Sequence, residues 1–440
     1  MSIGVDFLVH PRWLIPVEPD RIVLAQHSIA VRDGNIVDIL PQADARARYR
    51  AAADYELPGH ALIPGLVNLH THAAMSLMRG LSDDLPLGRW LGEVIWPAES
   101  RHISPSFVHD GTLLAAHEML RGGITTCNDM YFFPDDAAGA FAEAGMRAVI
   151  GVIVLDFPSA WANDPDDYLR RGLAVRDKWH GHPRISFSIA PHAPYSVSDA
   201  GLERAAYFAA ELDLPVHIHI HETADEVSGS LATHGARPLA RLERLGLLGP
   251  NLTAVHAVHT NEHDLALLTH HGCSVAHCPS SNMKLASGIA PLPAMLRHGI
   301  NAGLGTDSAA SNNRLDLLQE MRQCALLAKV GSLDATAAPA HTVLRMATLG
   351  GARALGLDSA IGSLETGKRA DFCAIALDAP STNPCFDPVS HLIYVCGREQ
   401  VSHVWVDGKI RVHNGKVLLQ INDNELLALA SLWQTKLCLI

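Results

Sequence analysis

Short apolar runs alternating with longer segments of helical period constrain this chain more than any other feature. The runs are LIPGLVNLH, ITTCNDM, RAVIGVIVL, ISFSIAPH, PVHIHI, LTAVH, CSVAHCP and INAGLGTD, and helix-like stretches such as 107–121 and 201–212 separate them. A repeated strand–helix unit implies a parallel sheet with right-handed crossovers, and eight units close into a (β/α)8 barrel. A doubly wound sheet would carry a glycine-rich phosphate turn after its first strand. Here that strand runs into His70-Thr71-His72 instead. Gly303-x-Gly305 is followed by Thr306-Asp307-Ser308 rather than a third glycine, and reads as a turn.

The flanks have a different texture. Asp33-Gly34, Asp407-Gly408 and Asn414-Gly415 sit between alternating, strand-like runs and read as hairpin turns. The expected fold is therefore α/β. Residues 63–362 form the barrel. Residues 1–62 and 363–423 form antiparallel sheet and pair into a small β-sandwich built from both ends, and residues 424–440 add a C-terminal helix.

Charge and cysteine usage remove whole classes of function. Lys+Arg 34 against Asp+Glu 46 leaves a net charge of −12, which is wrong for a nucleic-acid or anionic-membrane surface. The longest apolar runs are far too short to span a bilayer. The opening MSIGVDFLVHPRW lacks the basic-then-apolar layout of a signal peptide. The eight cysteines form no CxxC pair, so a cysteine zinc site is excluded and a reducing cytoplasm fits. The partner expected is a small molecule; a homo-oligomer is compatible with the sequence but not specified by it.

The chemistry lies in the 26 histidines. Active-site groups of a barrel project from the C-terminal ends of its strands. Those ends carry His70 and His72, Asp129, His192, then His217, His219 and His221 with Glu222, then His256, His277 and Asp307. The third strand ends without an ionisable residue before Asp156. Residues i and i+2 of a strand share a face, so His70 and His72 can reach one ion. The same holds for His217, His219 and His221, although not all need bind. Asp307 offers a hard oxygen ligand, though an aspartate before serine is also a common helix N-cap. Mixed nitrogen and oxygen donors suit a catalytic zinc, with iron as second choice. His117-Glu118 is not followed by the second histidine of HExxH, and the HxE…PCxxC deaminase signature is missing. ISFSIAPH contains no lysine, so the carboxylated lysine that bridges many two-metal barrels is absent and one ion per chain is expected.

Taken together, PGLVNLHTHAAMSLMRG, LPLGRWLGEVIWPAESR, GITT, APHAPYS, HIHIHETADE, TAVHAVH, HCPSSNMKL, GTDSAASNN and IGSLETGKRADFCAI resemble the amidohydrolase superfamily. Within it they are most similar to the branch of 5′-methylthioadenosine/S-adenosylhomocysteine deaminases and triazine chlorohydrolases. The resemblance covers nearly the whole chain. It implies a metal-dependent barrel whose ion is held by His70, His72, His219 and Asp307. It implies substrate contacts from Glu99, through the ribose hydroxyls, and from His192, with Trp90 near the purine. The catalytic groups it implies are Glu222, His256 and Asp307. Asp307 accepts the proton of the attacking water, Glu222 protonates ring N1, and His256 orients the attacking oxygen.

The activity this resemblance implies is hydrolytic deamination of an adenine nucleoside at C6. Triazine dechlorination, guanine deamination and cyclic-amide hydrolysis are the alternatives. Glu99 argues against the first two, because neither substrate has a diol, and the missing lysine argues against two-metal amide hydrolases. Members that use S-adenosylhomocysteine are expected to meet its amino-acid tail with arginines after strand three. Here that stretch reads VIVLDFPSAWANDPDD, apolar and then acidic, which favours 5′-methylthioadenosine.

Overall fold

The computed structural model describes residues 2–438. The chain begins with β1 (Ile3–Leu14), β2 (Leu24–Ala25), β3 (His27–Arg32), β4 (Asn35–Pro41) and the long β5 (Tyr49–Pro64). Only Gly65 separates β5 from β6 (Leu66–Thr71), the first of eight parallel strands. The others are β7 (Ile124–Tyr131), β8 (Arg147–Val154), β9 (Ile185–Pro191), β10 (Val216–Ile220), β11 (Leu252–His256), β12 (Ser274–His277) and β13 (Asn301–Leu304). Each pairs with the next in chain order, and all eight coincide with the apolar runs of the sequence. Strands of a helix-covered parallel sheet are buried on both faces, which is why they read as continuous runs. β7 and β8 are buried at every residue.

The barrel closes where β13 meets β6. Asp307 donates its backbone N–H to His70 O at 3.0 Å. Thr306 donates its own to Asn68 Oδ1 at 2.9 Å, and Asn68 Nδ2 returns a bond to Thr306 Oγ1 at 2.8 Å. Side chains would block this approach. A Cβ on Gly305 would lie 2.8 Å from His70 Cβ, and one on Gly303 would lie 2.6 Å from Leu69 Cδ2. The glycine pair read from sequence as a turn is instead the close contact of the last strand with the first, and Gly303 lies inside β13.

After the barrel come β14 (Phe372–Ala376), β15 (Val401–Val406), β16 (Lys409–His413) and β17 (Lys416–Val417). They join the first strands in one nine-stranded sheet of order β17-β16-β15-β14-β5-β1-β3-β4, with β2 paired to β1. Antiparallel pairing was expected throughout the flanks, but β1 and β5 run parallel. The β3–β4 hairpin and the helix Gln42–Arg48 return the chain so that β5 enters in the direction of β1. Hairpin signals report local pairs only, and this pair is not local. A helix also interrupts the later flank, Pro388–Tyr394, capped by Asp387 through Val389 N–H at 2.9 Å.

The sheet folds over on itself. Phe7 of β1 stacks on Trp405 of β15 with ring centroids 6.1 Å apart. A flat sheet would hold them three strand spacings of about 4.8 Å apart. Arg147, buried at the start of β8, donates to Asp371 at 2.9 Å and to Asp407 at 3.3 Å, and so fastens the barrel to this sheet. The terminal helix spans Asp423–Leu437 and docks through Trp433, edge-to-face on Phe107 at 5.2 Å. Residues 439–440 of the expected helix, and residue 1 of the first flank, lie outside the described residues. Among the described residues no helix is long and apolar enough to cross a membrane.

Candidate active site

β10 shows how the strands build the site. Ile218 and Ile220 turn outward into the core between barrel and helices, while His217 and His219 turn inward. The alternation stops there. His221 takes a left-handed backbone, φ 56°, and its ring leaves the inner face: Nε2 accepts Leu239 N–H at 3.2 Å. His256 (φ 69°) and Asp307 (φ 58°) also adopt this region, unusual for residues other than glycine. These three positions lie at the C-terminal ends of barrel strands, where function tends to hold such strain.

Four side chains converge at the barrel mouth. One ligand atom from each of His70, His72, His219 and Asp307 lies within 4.8 Å of the others. The hydrogen bonds around them fix which nitrogens face inward. His72 Nδ1–H donates to Met130 O at 2.6 Å, and His219 Nδ1–H donates to His192 O at 2.7 Å. His70 Nδ1 faces His217 Nε2 at 2.9 Å. Each ring therefore points Nε2 into the centre. His219 Nε2 lies 3.2 Å from the Nε2 atoms of both His70 and His72. Burial lowers the pKa of all three, that of His70 to about 4, which favours neutral rings. In His72 and His219 the hydrogen sits on Nδ1, so their Nε2 atoms are lone pairs facing each other at 3.2 Å. Such an arrangement repels itself unless a cation sits between them.

Asp307 supplies the negative charge. Its Oδ1 lies 3.2 Å from His70 Nε2 and 3.3 Å from His72 Nε2. Its Oδ2 accepts hydroxyl hydrogens from Ser281 at 2.6 Å and Ser311 at 2.7 Å. Burial pushes its carboxyl up, but the His70 bond and the neighbouring imidazoles outweigh this and hold it well below the usual range. Neutral imidazoles plus one ionised carboxylate, with each ring's second nitrogen tied off, are a fitting donor set for a divalent ion.

A cavity of about 470 Å³ opens from this cluster. The substrate-contact and catalytic residues that the resemblance implies line it as well: Trp90, Glu99, His192, Glu222 and His256. Glu222 is 4% exposed, with its Oε2 3.8 Å from His256 Nε2. Burial raises its pKa against the opposing pull of His256. His256 Nδ1 meets Asn282 Oδ1 at 2.9 Å; an amide oxygen only accepts, so this ring too presents Nε2 to the cavity. Burial lowers His192 to about 3, and its Nδ1 meets Ser196 Oγ at 2.8 Å.

The roof comes from the segment after β6, with a π-type helical stretch Trp90–Ile95 leading into the helix Trp96–His102. Trp90 Nε1–H donates to Ser82 O at 3.2 Å, which leaves the ring for the cavity. Glu99 reaches in from the second helix. Burial pushes its carboxyl up to about 7, against the hydrogen bond it accepts from Tyr131. The far wall is apolar, formed by Leu155, Phe157, Pro158 and Ala160 with Ile103 and Trp96. Among the described residues that line the cavity, none is lysine or arginine. Arg170 and Arg171 are engaged by Asp167 instead.

Asp129 and His277, also at strand ends, do not line the cavity. Asp129 Oδ1 accepts Ala73 N–H at 2.7 Å and so fixes the turn after His72. Sequence reasoning missed Tyr131, Ser281, Asn282 and Ser311. Of these, Asn282 and Ser281 sit in HCPSSNMKL and Ser311 in GTDSAASNN, segments whose polar residues beyond the ligand carried the available signal.

The profile of the amidohydrolase family matches residues 61–411. The chain belongs to this family. A protein of Saccharophagus degradans named 5-methylthioadenosine/S-adenosylhomocysteine deaminase is 46% identical to it, over 98% of this chain and 97% of its own length. One of the same name from Teredinibacter turnerae is 44% identical, over 98% of each. A crystal structure described as an adenosine deaminase from Xanthomonas campestris with bound zinc superposes with a TM-score of 0.99 and 47% identity, covering 100% of both chains. An atrazine chlorohydrolase from Arthrobacter aurescens shares the fold with a TM-score of 0.90 at 23% identity, over 97% of this chain and 99% of its own. In this amidohydrolase the His, His, His and Asp cluster is the metal-binding group of a metal-dependent hydrolase.

Proposed function

We propose that this amidohydrolase removes the C6 amino group of an adenine nucleoside, with 5′-methylthioadenosine preferred over S-adenosylhomocysteine and adenosine. The observation that carries the reading is the presence of Glu99, a half-buried carboxyl bonded to Tyr131 and to no basic group, in the same cavity as Glu222 and the ligand cluster. A carboxylate is a bidentate acceptor for a cis-diol, which a ribose has and a triazine or free guanine lacks. The names carried by relatives 44–46% identical over nearly full length support it.

In this reading His70, His72, His219 and Asp307 hold one divalent ion, zinc with iron as second choice. When bound, the ion supplies Lewis acidity and lowers the pKa of water towards neutrality. Asp307 takes the proton that the attacking water loses. Glu222, whose protonated form burial favours, gives its proton to ring N1 as the new C6–O bond forms. His256, oriented by Asn282, holds the attacking oxygen. The C6–N bond then breaks: ammonia leaves with the proton returned from Asp307, the hydrogen of the new C6 hydroxyl passes to Glu222 as C6=O forms, and 5′-methylthioinosine remains. Glu99 accepts from the ribose hydroxyls, Trp90 lies against the purine, and His192 is a further contact. Burying a methylthio group against Leu155, Phe157 and Ala160 is favourable, whereas a carboxylate there would lack a partner. A cytoplasmic location belongs to the same reading, and the eight free cysteines support it.

An ammonia-release assay across 5′-methylthioadenosine, S-adenosylhomocysteine, adenosine, guanine and a chlorotriazine, with metal analysis of the same sample, tests it. The highest kcat/KM is expected for 5′-methylthioadenosine. Turnover confined to guanine or the triazine overturns it.

A further inference from the structure

The turn that carries Glu222 is built in an unusual way. β10 ends at Ile220, and the helix Ala224–His234 starts after its N-cap, Thr223. Thr223 Oγ1 accepts Glu226 N–H at 3.1 Å, the ordinary half of a capping box. In the other half the third helical residue would accept the backbone N–H of the cap residue. Glu226 occupies that position but reaches further back. Its Oε1 accepts His221 N–H at 2.8 Å, and its Oε2 accepts Glu222 N–H at 2.8 Å. One carboxylate thus spans two successive amides, and one of them belongs to His221 on its left-handed backbone.

We propose that Glu226 is a positioning residue for the deamination, holding the backbone of Glu222 so that the Glu222 carboxyl stays in the cavity beside His256. The inference rests on the role given to Glu222 in the proposed reaction. Glu226 does not line the substrate cavity; it lines a second one, on the other side of the shared residues Trp96, Phe157 and Tyr195. Its effect on chemistry therefore runs through Glu222. Without Glu226, two amides at a buried strand end lose their acceptors, and the turn can relax from its strained conformation. Burial pushes the Glu226 carboxyl up to about 7, while the two amides favour its ionised form, the only one with both oxygens free to accept.

Glu226→Gln keeps the shape but replaces one acceptor with an NH2 group. It should lower kcat by about tenfold or more, since small misplacements of a reacting group are costly. KM for the nucleoside and bound metal should stay near wild type, which a general loss of structure would not allow. The decisive measurement is the double variant with Glu222→Gln. Because Glu226 acts through Glu222, the double variant should be no slower than Glu222→Gln alone; multiplied losses overturn the proposal. Near wild-type kcat in Glu226→Gln overturns it as well. Amide hydrogen exchange on the wild-type protein needs no variant: the His221 and Glu222 amides should be strongly protected, and exchange at the rate of an open turn overturns the proposal. A wild-type protein that does not deaminate nucleosides refutes the functional reading instead. Active wild type, an impaired Glu222→Gln and an unimpaired Glu226→Gln refute this inference alone.

Discussion

Tyr131, the last residue of β7, donates its hydroxyl to Glu99 at 2.7 Å. A barrel strand thereby holds in place a carboxyl that belongs to the helical roof of the cavity. Burial places that carboxyl near pH 7, and the tyrosine bond works in the opposite direction, favouring the ionised form.

The first prediction concerns pH. A diol is gripped by the ionised carboxylate, so kcat/KM for 5′-methylthioadenosine should fall as pH drops through about 7. Tyr131→Phe removes the contribution that lowers the Glu99 pKa, so this limb should move to higher pH. Glu99→Gln should abolish the limb and cost roughly 10- to 100-fold in kcat/KM, the worth of a hydrogen bond to a charged group. Steady-state profiles of the three proteins are the measurement. An unchanged limb in Glu99→Gln would assign it to another group.

The second prediction concerns the ion. Fully active protein should contain close to one equivalent of metal per chain, and chelation should remove activity that added zinc restores. His219→Ala deletes one of the converging Nε2 atoms and should lose metal and activity together. His217→Ala deletes only the partner of His70 Nδ1 and should weaken metal binding by about 10- to 100-fold. Elemental analysis after dialysis distinguishes these outcomes, and two tightly held ions, both needed for turnover, would contradict the scheme.

Proton delivery gives the third. Glu222→Gln preserves shape and removes the acid, so kcat should drop by about 10² or more with metal content unchanged. Deamination at near wild-type rate in this variant would remove Glu222 from the mechanism.

The fourth turns the specificity argument into a gain of function. Ala160 is exposed and lines the apolar end of the cavity, where no cation stands. Ala160→Arg supplies a partner for the carboxylate of S-adenosylhomocysteine. Its kcat/KM for that substrate should rise relative to 5′-methylthioadenosine. If the ratio does not move, the tail of the substrate lies elsewhere.

The strands of the barrel were legible because parallel strands buried on both faces leave unbroken apolar runs, and His70 and His72 because strand alternation puts them on one face. Alternation misled at His221. It holds only while the backbone stays extended, and β10 ends one residue earlier. The parallel β1–β5 pair was illegible for a related reason: hairpin turns encode neighbours, not the return of a distant strand. Glu99 was reachable only by resemblance, since a lone carboxyl on a helix carries no spacing signal. Tyr131, Asn282, Ser281 and Ser311 act by touching another residue of the site, and such contacts appear only when distant segments are brought together.

β5 is held between β1 on one edge and β14 on the other, and the whole barrel separates β5 from β14 in the chain. On the ribosome β5 therefore emerges long before its second partner exists. Throughout the synthesis of the barrel the edge at residues 60–64, HALIP, has unpaired backbone groups and an apolar face. An open edge of this kind invites pairing with another chain. The nascent protein thus carries a risk of aggregation in the very strand that leads into His70 and His72, and the speed at which the rest of the chain is made sets how long that risk lasts.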